Sequence, residues 1–132
     1  MIGAMAASHI SVLSVPVSDQ DRAKAFYTDV LGFEVLADNP FSEDQRWVQL
    51  APPGAQTAIT LTTWFEDYQP GSLRGVILEV PDLDAELASF RERGGLLDGE
   101  VDETPWGRFA AFRDPDGNRF SFHEAWAGSA TG

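Results

Sequence analysis

Apolar positions along the chain follow two periods, and each arrangement of them occurs twice. Val12-Leu13-Ser14-Val15-Pro16-Val17 reads as a strand, and Ser18-Asp19 then opens a stretch where Ala23, Phe26, Tyr27, Val30 and Leu31 recur at helical spacing up to Gly32. Ser18 or Asp19 can cap that helix, and Gly32 can provide its left-handed stop. Gly75-Val76-Ile77-Leu78-Glu79-Val80 repeats the strand, and Asp82 opens a second helix whose Leu83, Leu87 and Phe90 share a face before Gly94-Gly95 ends it. Further on, Trp47–Gly54 and Ala111–Gly117 each run from a strand into a Pro/Gly turn. One strand precedes each helix and three follow: 10–17, 33–38, 46–51 and 57–64, then 74–80, 96–101, 108–113 and 118–124. This is an internal duplication. It predicts an α+β fold of two βαβββ modules, about 9–65 and 72–126, in a single domain spanning 1–132, with curled mixed sheets forming a cleft.

Strand alternation assigns the faces. Leu13, Val15 and Val17 belong under the first helix, which turns Val12, Ser14 and Pro16 the other way. Val76, Leu78 and Val80 belong under the second, leaving Gly75, Ile77 and Glu79 opposite. Ile59 and Leu61 read as core against Thr60, Thr62 and Trp64, and Phe120 and Phe122 as core against Ser121 and His123. The cleft lining predicted on this basis is Ser14, Thr60, Thr62, Trp64, Glu79, Ser121 and His123.

Composition narrows the chemistry. With no cysteine and two histidines in 132 residues, a metal would have to rest on His, carboxylate or amide ligands. A net charge of −12 opposes binding to nucleic acid or an anionic membrane, since the phosphate-binding term would be repulsive. No apolar run approaches the roughly 20 residues of a spanning helix, and the start lacks the basic and apolar regions of a secretory signal. The expectation is a soluble, cytoplasmic protein. Neither a phosphate-binding glycine loop nor a Gly-x-Ser-x-Gly elbow occurs.

Phe26-Tyr27-Thr28-Asp29-Val30-Leu31-Gly32-Phe33 and Asp114-Pro115-Asp116-Gly117-Asn118, in this order within a duplicated pattern, resemble the vicinal oxygen chelate superfamily of glyoxalase I, bleomycin-resistance proteins and extradiol dioxygenases. The resemblance runs from about Ile10 to Glu124. It implies a glyoxalase-like domain and, in the superfamily's enzymes, a divalent metal held by four side chains from the first and last strands of the modules. Those four positions fall on Val12, Thr60, Gly75 and Ser121. Valine and glycine offer no side-chain donor, and neutral hydroxyls are poor ligands for such ions. The resemblance therefore implies a cleft without its usual metal, as in the metal-free sequestering members, where two copies complete the cleft as a homodimer.

Glu79 and His123 lie near the vacated positions and are candidate catalytic residues as an acid–base pair, or else simply partners of each other. His9 has the wrong strand parity for a displaced ligand. Trp47, Trp64 and Trp106 are candidates for stacking on a flat ligand, since pockets are commonly lined by such side chains. Arg108 is a candidate for an anionic ligand group, although offsetting Asp102 and Glu103 is its plainer role. The first expectation is metal-free binding of a small organic molecule, cationic or planar, with no cofactor. The alternatives are a metal-dependent lyase, isomerase or dioxygenase using a divalent metal ion in a rearranged site, and a metal-free enzyme using Glu79 and His123 for proton transfer.

Overall fold

A computed structural model of the protein describes residues 6–127. It contains two four-stranded sheets, each with a helix after its first strand. Module one comprises β1 (Val12–Pro16), α1 (Gln20–Ala25), a π-helical turn (Phe26–Val30), β2 (Glu34–Pro40), β3 (Arg46–Ala51) and β4 (Ala58–Thr62). Module two comprises β5 (Val76–Glu79), α2 (Leu83–Glu92), β6 (Asp102–Thr104), β7 (Gly107–Arg113) and β8 (Arg119–Glu124). The strand orders are β1-β4-β3-β2 and β5-β8-β7-β6, with β1/β4 and β5/β8 parallel and the remaining neighbours antiparallel. The duplication read from the apolar pattern is thus a duplication of topology.

Local chemistry explains the helices. Asp19, not Ser18, caps α1 by accepting from the Arg22 N–H, and Asp82 does the same for Ala85 in α2. Gly32 stops the first helix at φ 78°, where a side chain would be strained. Gly95 closes the second: its N–H donates to the Phe90 carbonyl, and a Cβ there would lie 2.4 Å from the Phe90 ring.

One strand departs from expectation. Residues 96–101 do not form a strand; only Leu97 bridges to Phe112, and the paired segment is Asp102–Thr104. The physical reason is local. Leu97 turns into the core, and Gly99 at φ 102° bends the chain away before Asp102 resumes the ladder against Phe109.

Both modules share one core, which contains Val15, Val17, Tyr27, Leu61, Leu83, Phe90, Phe112, Phe120 and Phe122. They come from the helical segments and from the helix-facing sides of both sheets. Across the module boundary, Phe26 lies 6.1 Å from Phe112 and Tyr27 lies 5.8 Å from Phe120, centroid to centroid.

A buried polar lock joins the same surfaces. Asp114, 4% exposed, accepts from the backbone N–H groups of Asp116, Gly117 and Asn118 through Oδ1, and from Tyr27 Oη and Asn118 Nδ2 through Oδ2. Asn118 Nδ2 also donates to the Pro16 carbonyl at 2.8 Å, and Asn118 Oδ1 accepts from the Leu73 N–H at 3.0 Å. Burial, reinforced by the neighbouring Asp114 carboxylate, keeps the Tyr27 phenol protonated well above its ordinary range, so it is the donor. Asp116 reaches back to Ser18, and Gly71 must remain glycine because a Cβ would lie 2.1 Å from the Asp116 carbonyl oxygen.

Candidate functional site

With the helix-side faces committed to the shared core, the opposite faces of the two sheets remain for ligand chemistry. On the first sheet, β4 is central and buried throughout. Ile59 and Leu61 enter the core, while Thr60 and Thr62 point the other way and are nonetheless 1% and 2% exposed. Ser14 lies beside Thr60 in the β1 register, and Gln49 lies beside it in the β3 register. Thr62 Oγ1 reaches the Val15 carbonyl at 3.4 Å.

An aromatic array stands beside this row. Trp47 and Trp64 are stacked, with centroids 6.4 Å apart and planes at 27°. Phe41 meets both edge-on, at 6.4 and 5.2 Å. Phe65 continues the array from Trp64 at 6.0 Å, and Tyr68 from Phe65 at 6.3 Å. Trp47 Nε1 donates to Gln49 Oε1, and Tyr68 Oη donates to the Ser14 carbonyl. Phe41 and Phe65 are about half exposed, at 52% and 46%. No described helix covers this face.

The second sheet presents Ile77, Glu79, Phe109, Ser121 and His123. Ser121 pairs with Ile77 and His123 with Glu79 in the parallel β5/β8 register. His123 Nδ1 is 2.6 Å from Glu79 Oε1, and its Nε2 is 2.8 Å from the Trp106 carbonyl. A carbonyl can only accept, and so can a carboxylate; the arrangement therefore suits the doubly protonated imidazolium. The Glu79 hydrogen bond first, then the Trp106 carbonyl, raises the His123 pKa above 6.5. The Phe109 ring lies 4.4 Å from the imidazole.

This pair gives a pH prediction with a definite sign. The folded pKa is raised, so the stabilisation is complete below about pH 6.5 and is lost as pH rises through the folded value. In an NMR titration the His123 ring is expected to turn over above 6.5, and Glu79→Gln should lower that midpoint. A midpoint unmoved by the substitution would disprove the coupling. Glu79 is 59% exposed, so the effect on stability is small.

The remaining predicted residues divide. Trp106 sits at the tip of the Thr104–Gly107 turn, 66% exposed, tied through its carbonyl rather than its ring. Arg108 is a correction. It alternates with Phe109 and so shares parity with Ala110 and Phe112 on the helix side, where it binds Glu124 at 2.7 Å and Asp84 at 3.2 Å. Those partners replace Asp102 and Glu103, and none of its contacts lies on the open face. Gln49, Phe41, Phe65, Tyr68 and Phe109 were not foreseen. Gln49 and Phe109 were readable from strand parity, whereas Phe41, Phe65 and Tyr68 lie outside the strand register.

The superfamily's metal positions fail on donor chemistry. Val12 and Thr60 lie two residues apart in register on the first sheet, and Gly75, directly before β5, lies likewise two residues from Ser121, which pairs with Ile77. Two of the four, Val12 and Gly75, have no side-chain donor atom. Among the described residues no group of three or more His, Asp or Glu side chains is placed to hold an ion. Glu79 and His123 are occupied with each other and with Trp106. No described helix is long and apolar enough to cross a membrane.

Residues 8–122 match the family described as Glyoxalase/Bleomycin resistance protein/Dioxygenase superfamily. The chain is 49% identical to TnmS3, described as an antibiotic binding protein from Streptomyces sp. CB03234, with a TM-score of 0.85 covering 92% of this chain and 99% of that one. A superfamily member from Sphaerobacter thermophilus DSM 20745 is 38% identical, with a TM-score of 0.81 covering 89% and 98%. Lactoylglutathione lyase of Salmonella typhimurium is 33% identical over 117 residues, or 83% of this chain and 87% of that protein. Two duplicated sheets, a Tyr27–Asp114 lock made from the two motifs, and a matching profile over nearly the whole length place the chain in the Glyoxalase/Bleomycin resistance protein/Dioxygenase superfamily.

Proposed function

We propose that the protein binds and sequesters a planar small organic molecule, without a metal ion, in clefts that two copies of the chain build together as a homodimer. The observation that carries this reading is the helix-free aromatic array of Phe41, Trp47, Trp64, Phe65 and Tyr68. Aromatic side chains are expensive to leave wet, and ligand pockets bury most of their ligand between such rings. The array is open. Two depressions among the described residues lie elsewhere, one of about 330 Å³ lined by Glu79, Pro81 and Glu124 and another of about 210 Å³ near Leu31, Pro53 and Phe122. The aromatic face is thus half a cleft. The face of a second copy that carries Ile77 and Phe109 beside the mutually paired Glu79 and His123 is suited to closing it.

The 49% identical antibiotic binding protein supports sequestration over turnover. The 33% identical lyase supports an enzyme, but the donorless Val12 and Gly75 weigh against its metal chemistry here. A doubly hydrogen-bonded imidazolium is equally ill placed to act as a general base.

A screen of aromatic secondary metabolites, read by fluorescence of the four tryptophans, should give saturable quenching at one site per subunit. Trp64→Ala is expected to weaken the best binder by roughly 30-fold, equivalent to about 2 kcal/mol for a stacking anchor. Sedimentation should return a dimer. Thermal shifts with Ni²⁺, Zn²⁺, Mn²⁺ and Fe²⁺ separate the rival: tight stoichiometric metal with a large rise in Tm would restore the enzyme reading.

A further inference from the structure

Among the described residues, Thr60 Oγ1 is the buried side-chain oxygen that has no hydrogen-bond partner. Buried hydroxyls are normally satisfied, so an orphan invites an explanation from function. Its place is telling. Thr60 is the middle residue of β4, with Ser14 on one side in register and Gln49 on the other, and Gln49 in turn accepts from Trp47, which stacks on Trp64. Gln49 gives its Oε1 to Trp47, which leaves its amide N–H groups for something else.

The floor is also neutral. Ser14, Gln49, Thr60 and Thr62 carry no charge, and the nearest cation in sequence, Arg46, has the opposite strand parity and is held by Asp38 and Asp21. Tryptophan faces attract ammonium groups. Here the register neighbours of Thr60 are Ser14 and Gln49, neither a carboxylate that would answer such a charge, and desolvating it against this neutral row is costly. An uncharged ring bearing an oxygen meets neither objection and gives the orphan hydroxyl its partner.

Resting on the binding reading above, we propose that this row selects the ligand: Trp47 and Trp64 stack on an uncharged, oxygenated aromatic, and Thr60, flanked by Ser14 and Gln49, hydrogen-bonds its carbonyl or hydroxyl oxygen. Thr60 is covered in the free chain, so the ring enters by displacing side chains. Trp64 is suited to yield, because it lies just beyond β4 and is held by ring contacts alone among the described residues.

Three tricyclic probes of equal size test this by tryptophan quenching: acridone, neutral with a carbonyl; proflavine, a cation; and anthracene-1-carboxylate, an anion. Acridone is expected to bind the native protein at least about tenfold tighter than either charged probe. Thr60→Val, which keeps the shape and deletes the hydroxyl, should weaken acridone by about tenfold while leaving proflavine unchanged, the loss of one hydrogen bond. Thr60→Ser should restore acridone binding. The same Thr60→Val protein should melt at a higher temperature when free, because an unpaired buried hydroxyl has gone; binding and stability thus move in opposite directions. Proflavine binding tightest, or acridone binding indifferent to Thr60→Val, would overturn the selection proposal while leaving the aromatic cleft in place. A lowered melting temperature with unchanged acridone affinity would assign the hydroxyl to structure alone. Absence of binding by all three probes would remove both this proposal and the reading on which it rests.

Discussion

Asp114→Ala is expected to cost at least about 4 kcal/mol in urea unfolding, enough to remove most of the stability of a domain with an ordinary 5–15 kcal/mol. The carboxylate is buried and accepts five hydrogen bonds, three from its own turn and one each from Tyr27 and the Asn118 amide. Truncation leaves the Tyr27 hydroxyl and one of the two Asn118 Nδ2 N–H groups without an acceptor, each at about 1–3 kcal/mol, and unties the turn as well. Tyr27→Phe removes one donor and leaves the other four, so about 1 kcal/mol is expected there. A loss below 1 kcal/mol for Asp114→Ala would mean that the turn holds without its carboxylate.

That prediction explains why two short motifs identify the family while saying nothing about chemistry. Phe26–Phe33 and Asp114–Asn118 meet in space, Tyr27 against Asp114, and they join the modules through their helix sides. They specify assembly. The π-helical turn at Phe26–Val30 is part of this, since it carries Tyr27 to its partner, and nothing in the apolar spacing distinguishes a π turn from an α turn.

Much of the fold was legible because its signals are local. Asp19, Asp82, Gly32 and Gly95 mark helix ends by cap and stop chemistry, and a period of two sorted Ile59 and Leu61 from Thr60 and Thr62. The sixth strand was misplaced because Leu96-Leu97 has a strand's composition, whereas the decision lay with Gly99 and with a core site for Leu97. In the candidate site, parity placed Ser14, Thr60, Thr62, Glu79, Ser121 and His123 on the faces opposite the helices. Carried on to β7, the same parity argues against Arg108, whose neighbours Ala110 and Phe112 point inward. Phe41, Phe65 and Tyr68 come from irregular segments, where no period says which way a side chain points.

Gly107→Ala is expected to be the most disruptive single-methyl change near the candidate site, at about 2–4 kcal/mol. Gly107 has φ 131°, and a Cβ there would lie 2.2 Å from the Glu124 carbonyl oxygen and 2.8 Å from His123 Nε2. The backbone oxygen cannot swing aside as a flexible side chain could, so β7 must part from the end of β8. That separation takes the Trp106 carbonyl away from His123, and the imidazole pKa should fall back toward 6.5. The Trp126 indole, which donates to the Thr104 carbonyl at 2.7 Å, leaves one anchor on the same turn, so local displacement is expected rather than loss of the sheet. Gly54→Ala serves as the control. Its φ of 79° is also positive, though nearer the left-handed region than Gly107's 131°, and nothing lies within 4 Å of its added methyl, so it reports backbone strain without a clash, at about 1 kcal/mol. Equal losses for the two variants, with the His123 titration unmoved, would show that close packing of the Trp106 turn on β8 does not set the protonation state of this face. A larger loss at Gly107 together with a lowered His123 midpoint would tie the turn, the imidazole and Glu79 into one unit.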